Sequence, residues 1–306
     1  MRLLLKLLMT AGILFFALRN IELAVLLRQF DRLDFFSVLL AFCLVSLSTL
    51  LAATRWHMVT LNTEERVPNL PFFIRSYYRG TFINQGLPTT LGGDTVRVVD
   101  LAIALGSKRE AFGTVLLDRV IGLSSLLMIN VLMIPLTFTL LPKPLALAIA
   151  GISIGGLLTF AVVLALPWHR ISHHHTLLNF AAELSAFGRR VVSRPRNFFL
   201  LSLLSITVHA SAILALFVLA QQFGVAIELW KHFVIQPSVF IAALLPISLA
   251  GWGVREGTMA AIFNTLGVPA AAIVATSLTY GVITLLTTLP GLFFLLRTER
   301  KSARLP

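Results

Sequence analysis

Apolar runs separated by short polar connections recur along the whole chain. Six of them are long enough to cross a bilayer, at about 3–18, 35–56, 113–140, 145–166, 197–221 and 270–296. Two more apolar runs, about 70–106 and 233–267, are interrupted by Pro and Gly. Pro removes a backbone hydrogen bond from a helix and Gly leaves the backbone unrestrained, so these two runs are expected to break. The pattern predicts an all-α polytopic membrane protein with six transmembrane helices and two broken helical segments.

The broken segments are copies of one another. FINQGLPTTLGGDTVR (82–97) and FIAALLPISLAGWGVR (240–255) share Phe82/Phe240, Ile83/Ile241, Leu87/Leu245, Pro88/Pro246, Leu91/Leu249, Gly93/Gly251, Val96/Val254 and Arg97/Arg255. Leu matches are cheap in such a chain, whereas Pro, Gly and Arg in register are not. Broken apolar segments in corresponding positions of two halves mark the binding sites of transporter folds. The chain therefore reads as one membrane domain over 1–306 with an internal repeat at about 35–140 and 197–296. Pro88 and Pro246 are the expected hinges. Gly86, Gly92, Gly93, Gly251 and Gly253 permit unwound backbone. Asp94 is suited to cap a half-helix from about 95 to Gly106, and a second should run from about 253 to Gly267.

Composition agrees with a membrane protein. The chain is 57% hydrophobic and 12% charged, with mean hydropathy +0.89, against about 25% charged in a soluble domain. The net charge of +12 does not point to nucleic acid, because the basic residues are parcelled into loops between apolar segments. Loop 167–196 carries Arg170, Arg189, Arg190, Arg194 and Arg196 against Glu183. The last residues carry Arg297, Arg300, Lys301 and Arg304 against Glu299, and Arg2 and Lys6 open the chain. These regions are expected to be cytoplasmic, both termini included. Segment 70–106 must then enter and leave on the cytoplasmic side and segment 233–267 on the outer side. That makes them oppositely oriented re-entrant hairpins, an inverted repeat. Irregular backbone at membrane depth is tolerated where protein or a watery cavity satisfies it, so both loops are expected to line one cavity. The first twenty residues resemble a signal peptide without a small-x-small cleavage site, and read as an uncleaved helix. Cys43 is the single cysteine, so no intrachain disulfide forms.

The chemistry concentrates at the repeat. Arg97 and Arg255 fall near the starts of the second half-helices, where free N–H groups favour an anion. Guanidinium suits bidentate contact with phosphate. Internal pairing is the alternative. Asp94 and Arg97 are three apart and can meet on one helix face. Glu256 is expected to face away from Arg255 and to need another partner, and Asp118 and Arg119 can pair across the bundle. Arg79 is placed to reach the cavity. Arg75 and Arg79, near Tyr77 and Tyr78, otherwise read as an interfacial aromatic-basic anchor, and Arg55 as a snorkelling side chain. His169 and His173–His175 form a patch that reads as solvated loop or anionic-lipid contact ahead of metal binding. There is no phosphate-binding P-loop, no H-E-x-x-H and no supported catalytic or metal-ligand set, so no cofactor is expected.

Arg79-Gly80-Thr81-Phe82, Leu87-Pro88, Gly92-Gly93-Asp94, Arg97 and Asp118-Arg119 with Gly122 resemble the first signature of the lysylphosphatidylglycerol synthase transmembrane (flippase-domain) family. Leu245-Pro246-Ile247-Ser248, Gly251, Gly253-Val254-Arg255-Glu256-Gly257 and Leu266-Gly267 resemble its second, and Pro290-Gly291 also fits. Ala250 and Trp252 stand where many members carry Gly. The resemblance covers about 2–300. It implies an inner-membrane protein that moves lipids between leaflets, aminoacylated phosphatidylglycerol in the best-known members. Other members accompany glycosyltransferases or isoprenoid-lipid pathways. No soluble aminoacyl-transfer domain is present, so synthesis of lysylphosphatidylglycerol is not expected. The expectation is a flippase for an anionic or phosphate-bearing lipid, aminoacyl-phosphatidylglycerol-like or polyprenyl/glycolipid-like. Its expected site is Arg97, Arg255, Asp94, Glu256, Asp118, Arg119, Arg79, Gly92, Gly93, Gly251 and Gly253. The alternatives are an integral membrane headgroup transferase and an accessory subunit bound to a lipid synthase or glycosyltransferase. Homo-oligomerisation stays open.

Overall fold

The computed structural model describes residues 21–86, 91–166, 176–245 and 250–302, with a few isolated positions besides. Among these there are eleven helices and no strand. They are α1 (Leu23–Phe30), α2 (Phe35–Thr63), α3 (Leu70–Gly86), α4 (Leu91–Leu105), α5 (Lys108–Leu140), α6 (Lys143–Ala165), α7 (Thr176–Val192), α8 (Pro195–Gln222), α9 (Leu229–Ala243), α10 (Val254–Asn264) and α11 (Ala270–Ser302). Five are long and apolar enough to cross a membrane: α2, α5, α6, α8 and α11 as far as Arg297. They answer to five of the six predicted crossings. The first crossing falls mostly outside the described residues, as do Pro88, Pro246, His169 and His173–His175.

Local chemistry sets the helix ends. Asp34 caps α2 by accepting from the Ser37 amide at 3.0 Å. Ser107 starts α5 by accepting from the Glu110 amide at 3.4 Å. Gly106 and Gly267 adopt positive φ (+73° and +74°) where the chain leaves α4 and α10. The outward faces are apolar, with Phe35, Phe36, Ile103 and Leu132 exposed, while Asp94, Arg97, Asp118, Arg255 and Glu256 are buried. Lipid, not water, is the solvent that such a surface suits, and the chain is a multi-pass membrane protein.

Each broken segment folds as an antiparallel helical pair. The pair α3–α4 packs with Trp56 of α2 and with Ala111 and Val115 at the start of α5. Trp56 meets Phe73 edge to face at 4.7 Å. The pair α9–α10 packs with Phe223 past the end of α8, with Leu141 past the end of α5 and with the first turns of α11. The two hairpins therefore sit at opposite ends of α5.

Two expectations change. Gly92 and Gly93 do not lie in unwound backbone; they belong to the first turn of α4, which starts three residues ahead of Asp94. Gly251 and Gly253 do take up the special conformations expected, at φ +81° and +84°, and Ala250 joins them at +46°. The basic loop 167–196 contains a helix, α7. Its Phe187 and Val191 are buried with Leu117 and Leu201, while Arg189 and Arg190 stay outward. A 3.6-residue apolar period was hidden there among arginines.

Glycine lets α3, α4 and α11 approach closely. A Cβ on Gly93 would lie 2.0 Å from the Gly80 carbonyl oxygen, and one on Gly291 would lie 2.1 Å from the Tyr78 carbonyl oxygen. Asn84 accepts from the Gly93 amide at 2.6 Å and fixes the register of the first hairpin. Gly93→Ala is therefore expected to cost about 1–3 kcal/mol or more of stability. Gly86→Ala, which meets nothing within 4 Å, serves as the neutral control. Thermal unfolding of the purified variants in detergent compares them directly.

Candidate functional site

Asp118 is the centre of the site. It lies fully buried on α5 and binds two arginines from different helices. Arg55 Nε of α2 donates to Oδ1 at 2.8 Å, and Arg97 Nη2 of α4 donates to Oδ2 at 2.6 Å. Arg97 Nη1 also donates to Asp94 Oδ1 at 3.1 Å, one helical turn back. Asp94 is bound on its far side by Arg119, through Nε to Oδ2 at 2.8 Å and Nη2 to Oδ1 at 3.0 Å. The chain of contacts thus runs Arg55, Asp118, Arg97, Asp94, Arg119, and ties α2, α4 and α5 together.

Neighbouring groups complete it. Arg55 Nη1 donates to the Ser205 hydroxyl of α8 at 3.3 Å. Gly122 leaves room for the Arg55 guanidinium, which would lie 3.0 Å from a Cβ there. His209 Nε2 of α8 donates to the Gly122 carbonyl at 3.0 Å. Arg97 is clasped between aromatic rings, 4.3 Å from the Trp56 centre and 4.6 Å from that of Tyr77. Because α4 begins at Leu91, Asp94 lies in its first turn, favourably placed for the helix dipole, and Arg97 lies a turn further in.

These charges face a cavity of about 800 Å³. Arg55, Tyr77, Asp94, Asp118, Arg119 and His209 line it, and the remaining wall is mostly apolar, including Val98, Leu123 and Leu126. Leu244, at the end of α9, lines it too, so the turn of the second hairpin reaches the cavity of the first. Arg119 keeps 38% of its side chain exposed there. Among the described residues, three guanidinium groups in this cluster share two carboxylates.

The second copy is built differently. Glu256 does not face away from Arg255. Its Oε1 accepts from Arg255 Nη2 at 2.7 Å and from the Ser277 hydroxyl at 2.7 Å. Its Oε2 accepts from the Gly253 amide at 2.6 Å, closing the start of α10. Arg255 also donates through Nε to the Ser277 hydroxyl at 2.8 Å and through Nη2 to its carbonyl at 3.1 Å. Trp252 and Tyr280 flank the guanidinium at 5.2 and 5.4 Å. This cluster is neutral, buried, and absent from the cavity wall.

Arg79 is likewise away from the cavity and pairs with Asp100 across the α3–α4 contact, at 2.9 Å. Arg55 is not a snorkelling side chain but a buried member of the network. Arg55, Ser205, His209 and Trp56 are the site groups that reasoning from the sequence missed. Arg55 had one visible signal, a cation within a long apolar helix.

A family model described as the lysylphosphatidylglycerol synthase TM region matches residues 3–291. The chain belongs to this family. The match spans the first hairpin, the ion network and the second hairpin together, and it bears out the resemblance carried by the two Pro/Gly/Arg motifs. No curated protein matches the chain.

Breaking a buried ion pair by neutralising one member leaves the other uncompensated, at about 3–5 kcal/mol. Asp118→Asn is expected to destabilise the protein by that order, since two arginines depend on it. Adding Arg55→Gln to Asp118→Asn is expected to recover part of the loss. A double-mutant cycle by thermal unfolding in detergent reads the coupling.

Proposed function

We propose that this protein is a lipid flippase of the cell inner membrane, with both termini cytoplasmic. It moves an anionic or phosphate-bearing lipid between leaflets. The observation that carries the reading is a cluster of three guanidinium groups and two carboxylates, with Arg55 and Arg119 in the wall of a large, mostly apolar cavity. A headgroup phosphate suits the guanidinium groups, and the apolar wall accommodates acyl chains. Arg119 and Arg55 make first contact with the phosphate. Arg97, Asp94 and Asp118 hold them in place, and Arg255 with Glu256 fixes the turn of the second hairpin.

In this reading the hairpins α3–α4 and α9–α10 are re-entrant and enter from opposite faces, as an inverted repeat. Their packing at opposite ends of α5 supports it, as does the basic charge near α7 and at the end of α11. The chain acts as a transporter and not as a catalyst. All four oxygens of Asp94 and Asp118 accept from guanidinium, which ties these two carboxylates into ion pairs and away from proton transfer.

A rearrangement of the second hairpin also has a physical motive. Both ring nitrogens of His232 and both amide atoms of Gln236 on α9 are buried without a hydrogen-bond partner. Each such residue costs about 1–3 kcal/mol, and a second packing of α9 that wets them removes that cost.

Reconstitution into liposomes with a fluorescent phosphatidylglycerol tests the proposal. The protein is expected to speed exchange between leaflets, and Arg119→Gln, which stays folded with a lowered unfolding midpoint, to slow it about tenfold or more. Unchanged flipping in Arg119→Gln sinks the headgroup site, and a modified lipid product shifts the function to a transferase. Gln236→Met is expected to raise stability by about 1–3 kcal/mol and to slow flipping, read in the same two assays.

A further inference from the structure

A second cavity lies between α5, α6, α7 and α8, at the end of the bundle where α5 and α8 begin and α6 stops. It shares no wall residue with the cavity at the ion network. Its volume is about 170 Å³, and Leu117, Ile121, Met128, Leu157, Phe160 and Leu201 belong to its wall. Val192 and Phe198, both nearly half exposed, form its mouth. Two of its serines are committed within their own helices: Ser125 donates to the Gly122 carbonyl and Ser205 to the Leu201 carbonyl, each at 2.8 Å. An apolar space of this size stays dry. The outward side chains next to it in sequence, Leu158 and Phe199, are apolar and exposed, so bilayer lipid is the solvent at hand.

The turn from α7 to α8 sits at this mouth, because Val192 and Phe198 on either side of it both belong to the wall. Arg189 donates to the Leu164 and Leu166 carbonyls at 3.3 and 3.4 Å, and Arg190 to that of Thr63 at 3.0 Å. Those two fasten α7 to the ends of α6 and α2. Arg194 and Arg196 stand exposed on the turn itself, and no Asp or Glu occurs between 184 and 202. The first amides of α8, which starts at Pro195, have no partner within the helix. An apolar slot beside two exposed guanidinium groups matches the tail and phosphate of a lipid. We infer that this groove is a second lipid site, which holds an anionic phospholipid with an acyl chain between α5, α6, α7 and α8 and its phosphate at Arg194 and Arg196. An α-helix, about 10 Å across, does not fit a space of about 170 Å³, so a partner's membrane span is not the occupant. The lipid here is resident, and the inference does not depend on the transport reading. Ser205, in the wall, accepts from Arg55 at 3.3 Å, so the bound chain packs against the back of the ion network.

The experiment is photolabelling of the purified full chain in detergent, read residue by residue with mass spectrometry. The probe is phosphatidylglycerol with a diazirine in one acyl chain. Label is expected at Leu157, Phe160, Val192 and Phe198. Unlabelled phosphatidylglycerol is expected to displace it at about tenfold lower concentration than phosphatidylcholine. The double substitution Arg194→Gln/Arg196→Gln is expected to leave the chain folded and to lower labelling there about tenfold. Ser202→Phe, which fills the groove, is expected to abolish it, and Arg119→Gln, in the other cavity, to leave it unchanged. Label as strong at the outward Ile152 and Leu203 as at Phe160 and Phe198 overturns the site. Full labelling of the arginine double variant, or equal displacement by phosphatidylcholine, overturns the headgroup assignment. Labelling that falls as protein concentration rises puts a second copy of the chain in the groove and overturns the inference as well. Labelling here in a protein that does not flip lipid sinks the transport reading and leaves this one standing. Flipping without labelling here does the reverse.

Discussion

A buried carboxylate that serves two arginines sets the terms for this protein. In a low-dielectric interior each of the charges around Asp118 is tolerable only while the others are in place. Arg55 comes from α2, Arg97 from the second arm of the first hairpin and Asp118 from α5. None of those helices can shift on its own without uncovering a charge. The ion network therefore acts as the positional reference for the cavity.

The two hairpins share their letters but not their electrostatics. Arg97 hands its charge to acids from two helices and leaves Arg119 at the cavity edge. Arg255 is matched by its own neighbour, and Ser277 satisfies what remains. The first copy faces a cavity and the second closes the start of a helix. The same Gly and Arg spacing thus gives a helical pair in both places with different electrostatics in each.

Much of the frame was legible before any coordinates. Long apolar runs announced five of the spanning helices, and Pro, Gly and Arg in register announced the hairpins. The contact between Asp94 and Arg97 followed from three-residue spacing on a helix. What escaped notice depended on which helix faces which. Arg55 and Asp118 are 63 residues apart, and Arg55 and Ser205 are 150, separations with no local signature. Glu256 was misjudged because adjacent residues on a helix usually point apart. Here the long Arg255 side chain curls back at the first turn, where Ser277 holds both partners. The helix α7 was masked because its arginines were counted as topology markers before its apolar face was.

The glycine contacts carry a mechanical consequence. With Gly80 against Gly93 and Gly291 against Tyr78, backbone touches backbone across two successive interfaces. Close-packed main chains of this kind have no side-chain layer to slide on or re-pack. The first hairpin and the last helix then behave as a single rigid block. Relative motion of the helices falls outside this block, at contacts made through side chains alone.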